Sequence, residues 1–127
     1  MSHYTFFSDE ELACKCGRCD GGLHMDPEFM DRLTDLRIII GRPFIVTSAY
    51  RCPQWNKQVS STGSTGPHTL GRAIDIAAVG SLAVELVTRA SEVGMTGIGV
   101  AQRTSHRFIH LDDLPSDQFP RPAVWSY

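Results

Sequence analysis

Between Asp26 and Gly41 the apolar residues Phe29, Met30, Leu33, Leu36 and Ile40, with Arg37 among them, recur at spacings of three and four. That period places them on one helical face. Asp26 suits an N-cap, Pro27 the first helical position and Glu28 the positive end of the dipole, while Gly41 supplies a left-handed stop. A helix is predicted between them. The pattern then changes. Pro43 to Ser48 is β-branched and continuous, which predicts a buried strand. Pro53 to Val59 suits a short helix, and the Ser/Thr/Gly loop from Ser60 to Pro67 delivers His68. Arg72 to Ala78 predicts a strand. Ser81 is expected to cap a second helix with Leu82, Leu86, Val87, Ala90 and Val93 inward, ended by Gly94. Thr96 to Gln102 and Arg107 to Asp112 predict two more strands joined by a polar turn. Residues 1–25 read as a turn-rich lead-in punctuated by Gly17, Gly21 and Gly22. The tail, with Pro115, Pro120 and Pro122, reads as irregular, although Trp125 and Tyr127 are expected to pack. Together these elements predict an α+β fold: a small, mostly antiparallel sheet with helices packed on one face.

Composition narrows the function classes. A chain of 127 residues suffices for one domain spanning 1–127. Its net charge of −2 and scattered arginines give no basic field for nucleic acid or anionic lipid. No run approaches the roughly 18 apolar residues of a membrane span. The opening MSHYTFFSDEELACKC carries acids where an export signal would have its apolar core. The expectation is a monomer that carries no export signal of its own. Cys14, Cys16 and Cys19 sit together and Cys52 stands apart. They admit three readings: a structural zinc site, one or two disulfides, or reduced small hydrophobes. A zinc-ribbon nucleic-acid module is disfavoured, because paired C-x-x-C spacing is missing.

One carboxylate then demands an explanation. Asp75 interrupts the apolar run from Ala73 to Ala78, where an unpaired charge costs several kcal/mol. Strand alternation puts Asp75 on a face with the small Ala73 and Ala77, leaving room above it. The same alternation puts His110 on a face with Phe108 and Asp112. If the two strands are neighbours, His68, Asp75 and His110 converge, and two imidazoles with one carboxylate form a familiar catalytic zinc set. Each residue also has a plainer reading. His68 fits a solvated loop, His110 a satisfied core histidine, and Asp75 an ion pair with Arg51 or Arg72.

Taken together, the motifs resemble those of a known family. HTLGRAID at residues 68–75 fits H-x-x-G-x-A-x-D, FIHLD at 108–112 fits F-[IV]-H-[VIL]-D, and TSAYRCP at 47–53 resembles S-x-Y-R-x-P, followed by Asn56. Arg121 and Trp125 echo a common ending. These blocks resemble the M15 peptidases, the zinc D-Ala-D-Ala carboxypeptidases and phage L-alanyl-D-glutamate endopeptidases, and within them the short phage-type members. The metal set is also similar to that of the hedgehog signalling domain. One departure is Gly66, where many relatives carry serine.

The resemblance implies one catalytic zinc ion held by His68, Asp75 and His110. It also implies a peptidoglycan stem peptide as substrate, cut by metal-activated water; without an export signal, such an enzyme is expected to stay in the cytoplasm until released at lysis, to travel with a phage particle, or to be one excised part of a longer protein. Arg107 stands where several relatives have an acid, so the general base must be sought elsewhere. Asp112 is the first choice and His106 the second; an exchange of ligand roles between His110 and Asp112 also stays open. Arg51 suits a substrate carboxylate or a transition-state oxyanion, or else a structural pair with Asp75 or Asp113. Tyr50 suits either the pocket or the core, and Trp55 and Trp125 suit core or rim. The alternative function is a binding or assembly module that keeps the zinc fold without its chemistry.

Overall fold

The computed structural model describes residues 3–19 and 23–127; Gly21 and Gly22 lie outside the described residues. Helix α1 (Asp9–Leu12) corrects the reading of the lead-in as irregular throughout. The Glu11 amide donates to Ser8 Oγ, and the Ser8 amide donates to the Glu11 carboxylate. That reciprocal capping box is legible as S-x-x-E, but the helix it starts lasts one turn. Phe7 and Leu12, both buried, seat this segment on the core. Helix α2 (Pro27–Ile40) forms as its caps and period dictate: Asp26 accepts from the Phe29 amide, and Gly41 stops the helix at φ 70°.

A five-stranded sheet follows, built from β1 (Ile45–Ser48), β2 (Ala73–Ala77), β3 (Gly97–Ala101), β4 (Phe108–Asp112) and β5 (Ala123–Ser126) in the order β1-β2-β4-β3-β5. All pairs are antiparallel except β3 with β5. Two strand readings are corrected. The first concerns β1, an edge strand with Ile45 68% exposed, so its β-branched run does not mean burial. The second concerns the tail, which closes the far edge as β5 instead of staying irregular. Helix α3 (Pro53–Val59) forms as predicted, and α4 (Gly80–Arg89) runs into a 3-10 turn at Ala90–Val93 that ends at Gly94. Ser81 does not cap α4. Val79 holds that position, and Ser81 Oγ accepts from Arg42 instead.

The sheet has two different faces. Ile74, Ile76, Ile109 and Leu111 have no exposed surface and join Phe29, Met30, Leu33, Leu36 and Leu86 in the core. Each such side chain contributes about 1.5–3 kcal/mol by leaving water. Alternation turns Ala73, Asp75 and Ala77 of β2, and Phe108, His110 and Asp112 of β4, to the opposite face. On that face β3 carries only glycine beside the polar residues, with Gly97 opposite Asp112 and Gly99 opposite His110. Both glycines are required by what lies over them. A Cβ on Gly97 would come within van der Waals contact of the buried Asp112 carboxylate, and one on Gly99 would meet the Trp125 indole at 2.7 Å. Gly97→Ala is therefore expected to destabilise the protein by about 1–3 kcal/mol, seen as a melting temperature lowered by several degrees. An unchanged melting temperature would show that Asp112 is free to move.

A candidate metal centre on the open face of the sheet

The pairing of β2 with β4 sets Asp75 directly opposite His110. His68 arrives from a 3-10 turn, Pro67–Leu70, which Gly71 closes in the left-handed conformation at φ 68°. It is buried, so its Ser/Gly-rich approach does not leave it solvated. The two imidazole centroids are 5.1 Å apart. One ligand atom from each of His68, Asp75 and His110 lies within 4.8 Å of the others. His68 Nε2 stands 3.2 Å and His110 Nδ1 3.0 Å from the same oxygen, Asp75 Oδ1.

The other ring nitrogens are already committed. His68 Nδ1 is 2.6 Å from the Ala49 carbonyl oxygen, which can only accept, so that nitrogen carries the proton. His110 Nε2 is 2.8 Å from Asp112 Oδ2 and likewise donates. In neutral rings the two inner nitrogens then present lone pairs to a carboxylate oxygen, three acceptors converging on one point. Such a point requires positive charge, from protons or from a cation. The donor set fits a cation of the zinc class: two imidazoles and a carboxylate, each with an outer partner that fixes its orientation.

Electrostatics reinforce the polarity of the site. Burial alone would raise the Asp75 pKa, but hydrogen bonds from His110 and His68 hold it well below the usual carboxylate range. Burial opposes the charged form of His110 as well, yet Asp112 and Asp75 pull its pKa upward. Both shifts describe a carboxylate held ionised where a positive partner is expected.

The remaining candidates separate by position. Asp112 is fully buried behind His110 and forms a two-point pair with Arg121, Nε to Oδ1 at 2.9 Å and NH2 to Oδ2 at 2.8 Å. It faces the histidine and the guanidinium and is absent from the lining of the cleft over the metal set. Arg51 donates to Ser48 Oγ, to Asn56 Oδ1 and, at 3.2 Å, to Asp75 Oδ2. It thus pairs with the free oxygen of Asp75 while Oδ1 meets the histidines. Arg72 instead pairs with Asp113, Asp26 and Glu28. His106 is exposed on the turn between β3 and β4, four residues along the chain from His110, and does not line the cleft. Tyr50 stacks near His24 with ring centroids 4.5 Å apart.

A cleft of about 610 Å³ opens over the set. Arg51 and Arg121 bring positive charge to it, Phe108, Trp125 and Tyr127 bring rings, and Ser60, Ser61 and Thr62 bring hydroxyls. Among the described residues that line it, Asp75 is the only carboxylate. Thr62 also accounts for Gly66: its side chain occupies the space a Cβ would need, and its hydroxyl accepts from Asn56 Nδ2 at 2.8 Å. Sequence reasoning missed Tyr127 and the hydroxyl rim. No local signal marks them, because β5 and the loop reach the site only through tertiary pairing.

A family profile described as Peptidase M15 matches residues 5–112, a span that includes His68, Asp75 and His110. No curated protein matches the chain. Among the described residues, no helix is long and apolar enough to cross a membrane.

Proposed function

From the premise that the chain belongs to the Peptidase M15 family, we propose that it is a zinc-dependent peptidase cutting peptidoglycan stem peptides. The observation that carries this reading is the meeting of His68 Nε2 and His110 Nδ1 on one oxygen, Asp75 Oδ1. His68 Nε2, His110 Nδ1 and Asp75 Oδ1 would hold the ion. A zinc ion there supplies Lewis acidity, polarising a carbonyl oxygen and making a water proton easier to remove.

The chain's own residues supply the rest. Ala49 and Asp112 hold the two outer ring protons, so each imidazole keeps one tautomer and one orientation. Asp112 acts here as a positioning residue, because its carboxylate is closed off by His110 and Arg121. Arg51 fixes Asp75 through Oδ2 and leaves Oδ1 to the centre. Its remaining N–H groups and the Arg121 guanidinium line the cleft, where they suit the free carboxylates of stem peptides. The Tyr127 phenol lines the cleft, where its proton suits a substrate oxygen. Burial, the main cause, raises the Tyr127 pKa, which keeps that proton in place.

A second reading is favoured by one observation, the lack of a further carboxylate among the described lining residues to serve as base. On that reading the protein is a zinc-fold binding module. Mass spectrometry of peptidoglycan digested by the zinc-loaded protein separates the two. A peptidase releases new peptide termini, either a lost terminal D-Ala or a cut between L-Ala and D-Glu, and a chelator abolishes them. An uncut wall that nevertheless retains the protein in a sedimentation assay would transfer the conclusion to the binding module.

A further inference from the structure

The four cysteines are not used by the centre described above, yet the fold gathers them. Cys14, Cys16 and Cys19 follow α1, and Cys52 immediately precedes α3, a separation of thirty-three residues between Cys19 and Cys52. Their sulfur atoms all lie within 4.8 Å of one another. We propose that Cys14, Cys16, Cys19 and Cys52 form a second metal site, which binds one structural zinc ion as a tetrathiolate.

Distances favour an ion over a covalent bridge. Cys16 Sγ and Cys52 Sγ are 3.7 Å apart. A disulfide would bring them to about 2.05 Å. Four sulfurs at about 2.3 Å from a shared zinc stand about 3.8 Å from one another at the edges of a tetrahedron. The spacing found is that of an edge. Sulfurs this close enclose a single ion.

The backbone is arranged for sulfur that carries negative charge. The amides of Arg18 and Cys19 both donate to Cys16 Sγ, at 3.3 and 3.2 Å, and the Cys52 amide donates to Cys14 Sγ at 3.2 Å. Gly17, at φ 73°, supplies the left-handed residue that folds the chain back so that two successive amides face one sulfur. Neutral thiols are weak acceptors, whereas thiolates bound to a cation are strong ones. The donor set has no imidazole or carboxylate and selects a soft, tetrahedral ion. With four protein ligands the coordination is closed, which marks a structural rather than a catalytic role. Three of the four residues are only partly buried, so an ion has a way in.

Such an ion would join two pieces of chain that matter to the cleft. The segment from Ala49 to Cys52 holds His68 by two bonds: the Ala49 carbonyl accepts from Nδ1, and the Arg51 amide donates to the His68 carbonyl at 3.2 Å. The same segment carries the Arg51 side chain, which holds Asp75. On its other side the Tyr50 amide donates to the Leu12 carbonyl of α1. The ion thus clamps the lead-in against the strip on which His68 rests.

The test counts metal ions without relying on catalysis. Protein prepared under reductant and saturated with zinc is expected to carry two ions in native mass spectrometry. His68→Ala/His110→Ala should carry one, and Cys16→Ser/Cys52→Ser also one. Loaded with Co2+ instead, the His68→Ala/His110→Ala protein should show intense thiolate-to-cobalt charge-transfer absorption in the near ultraviolet. Where a variant fails to fold, the chelated wild type titrated with Co2+ gives the same reading, with that absorption saturating by two equivalents, when both sites are filled. Absence of the charge-transfer band in folded, reduced protein would overturn the proposal, as would a disulfide linking any two of the four cysteines in protein purified without oxidant. Failure to cut peptidoglycan leaves these readouts untouched, so the two proposals fail separately.

Discussion

His68→Ala is expected to abolish peptide cleavage, lowering kcat/KM by a factor on the order of 10³ or more, while the protein stays folded. The size follows from what is removed. A cation at the centre contributes several kcal/mol to the developing charge, and each 1.36 kcal/mol is about tenfold in rate. The side chain sits at the rim of the sheet in a turn, outside the packed core of Ile74, Ile76, Ile109 and Leu111. Its deletion opens space that is continuous with the cleft and leaves the Ala49 carbonyl accessible to water. The measurement pairs initial rates with circular dichroism and zinc content. A folded variant that retains both its ions and its rate would remove His68 from the centre.

Asp112→Ala is expected to damage stability and metal binding together. Its carboxylate is fully buried and takes four bonds, two from Arg121, one from His110 and one from the Leu114 amide. Removing one partner of a buried ion pair leaves the other charge without compensation and costs about 3–5 kcal/mol. The freed His110 ring also loses the acceptor that fixes its tautomer, which lowers metal affinity about 10- to 100-fold. Burial by itself would raise the Asp112 pKa, but hydrogen bonds from His110 and Arg121 bring it down to about 2. A depressed carboxylate contributes stability that is complete above its unfolded pKa of about 3.9 and disappears as pH falls through about 2. The gap in melting temperature between the wild type and Asp112→Asn should therefore close as pH falls from about 4 to 2. Thermal melts across that range check it; a gap that does not depend on pH would show that Asp112 is not charged in the folded protein.

Local signals explain what the sequence reveals and what it conceals. Helix α2 carries its start, period and stop in consecutive residues, from Asp26 to Gly41, and every one acts as its chemistry suggests. The two faces of β2 and β4 follow from alternation alone, so Asp75 and His110 are placed on the same side before their pairing is known. The pairing itself is non-local, and so is everything that depends on it. Arg121 reaches Asp112 because the chain returns to lay β5 along β3, and Ala123 to Ser126 is too short and too close to Pro122 to announce a strand. Ile45 and Thr47 read as buried because β-branched residues favour strands of either kind, whereas only the sheet order shows β1 to be an edge. The glycines of β3 illustrate the same limit. Their spacing is visible, but the Asp112 carboxylate and the Trp125 ring that demand it come from other strands.

Asp75 stands between an ion pair and a metal centre. Its two oxygens divide the alternatives between them, one toward Arg51 and the other toward both histidines. A lone ion pair would satisfy the first oxygen and leave the second facing two imidazole nitrogens.

Anomalous scattering at the zinc edge, measured on crystals of the zinc-loaded protein, tests this most directly. A peak bonded to His68 Nε2, His110 Nδ1 and Asp75 Oδ1 is expected, separate from any signal at the cysteines. Zinc-saturated crystals with no peak at that position, and with both imidazoles still hydrogen-bonded to Asp75, would contradict it.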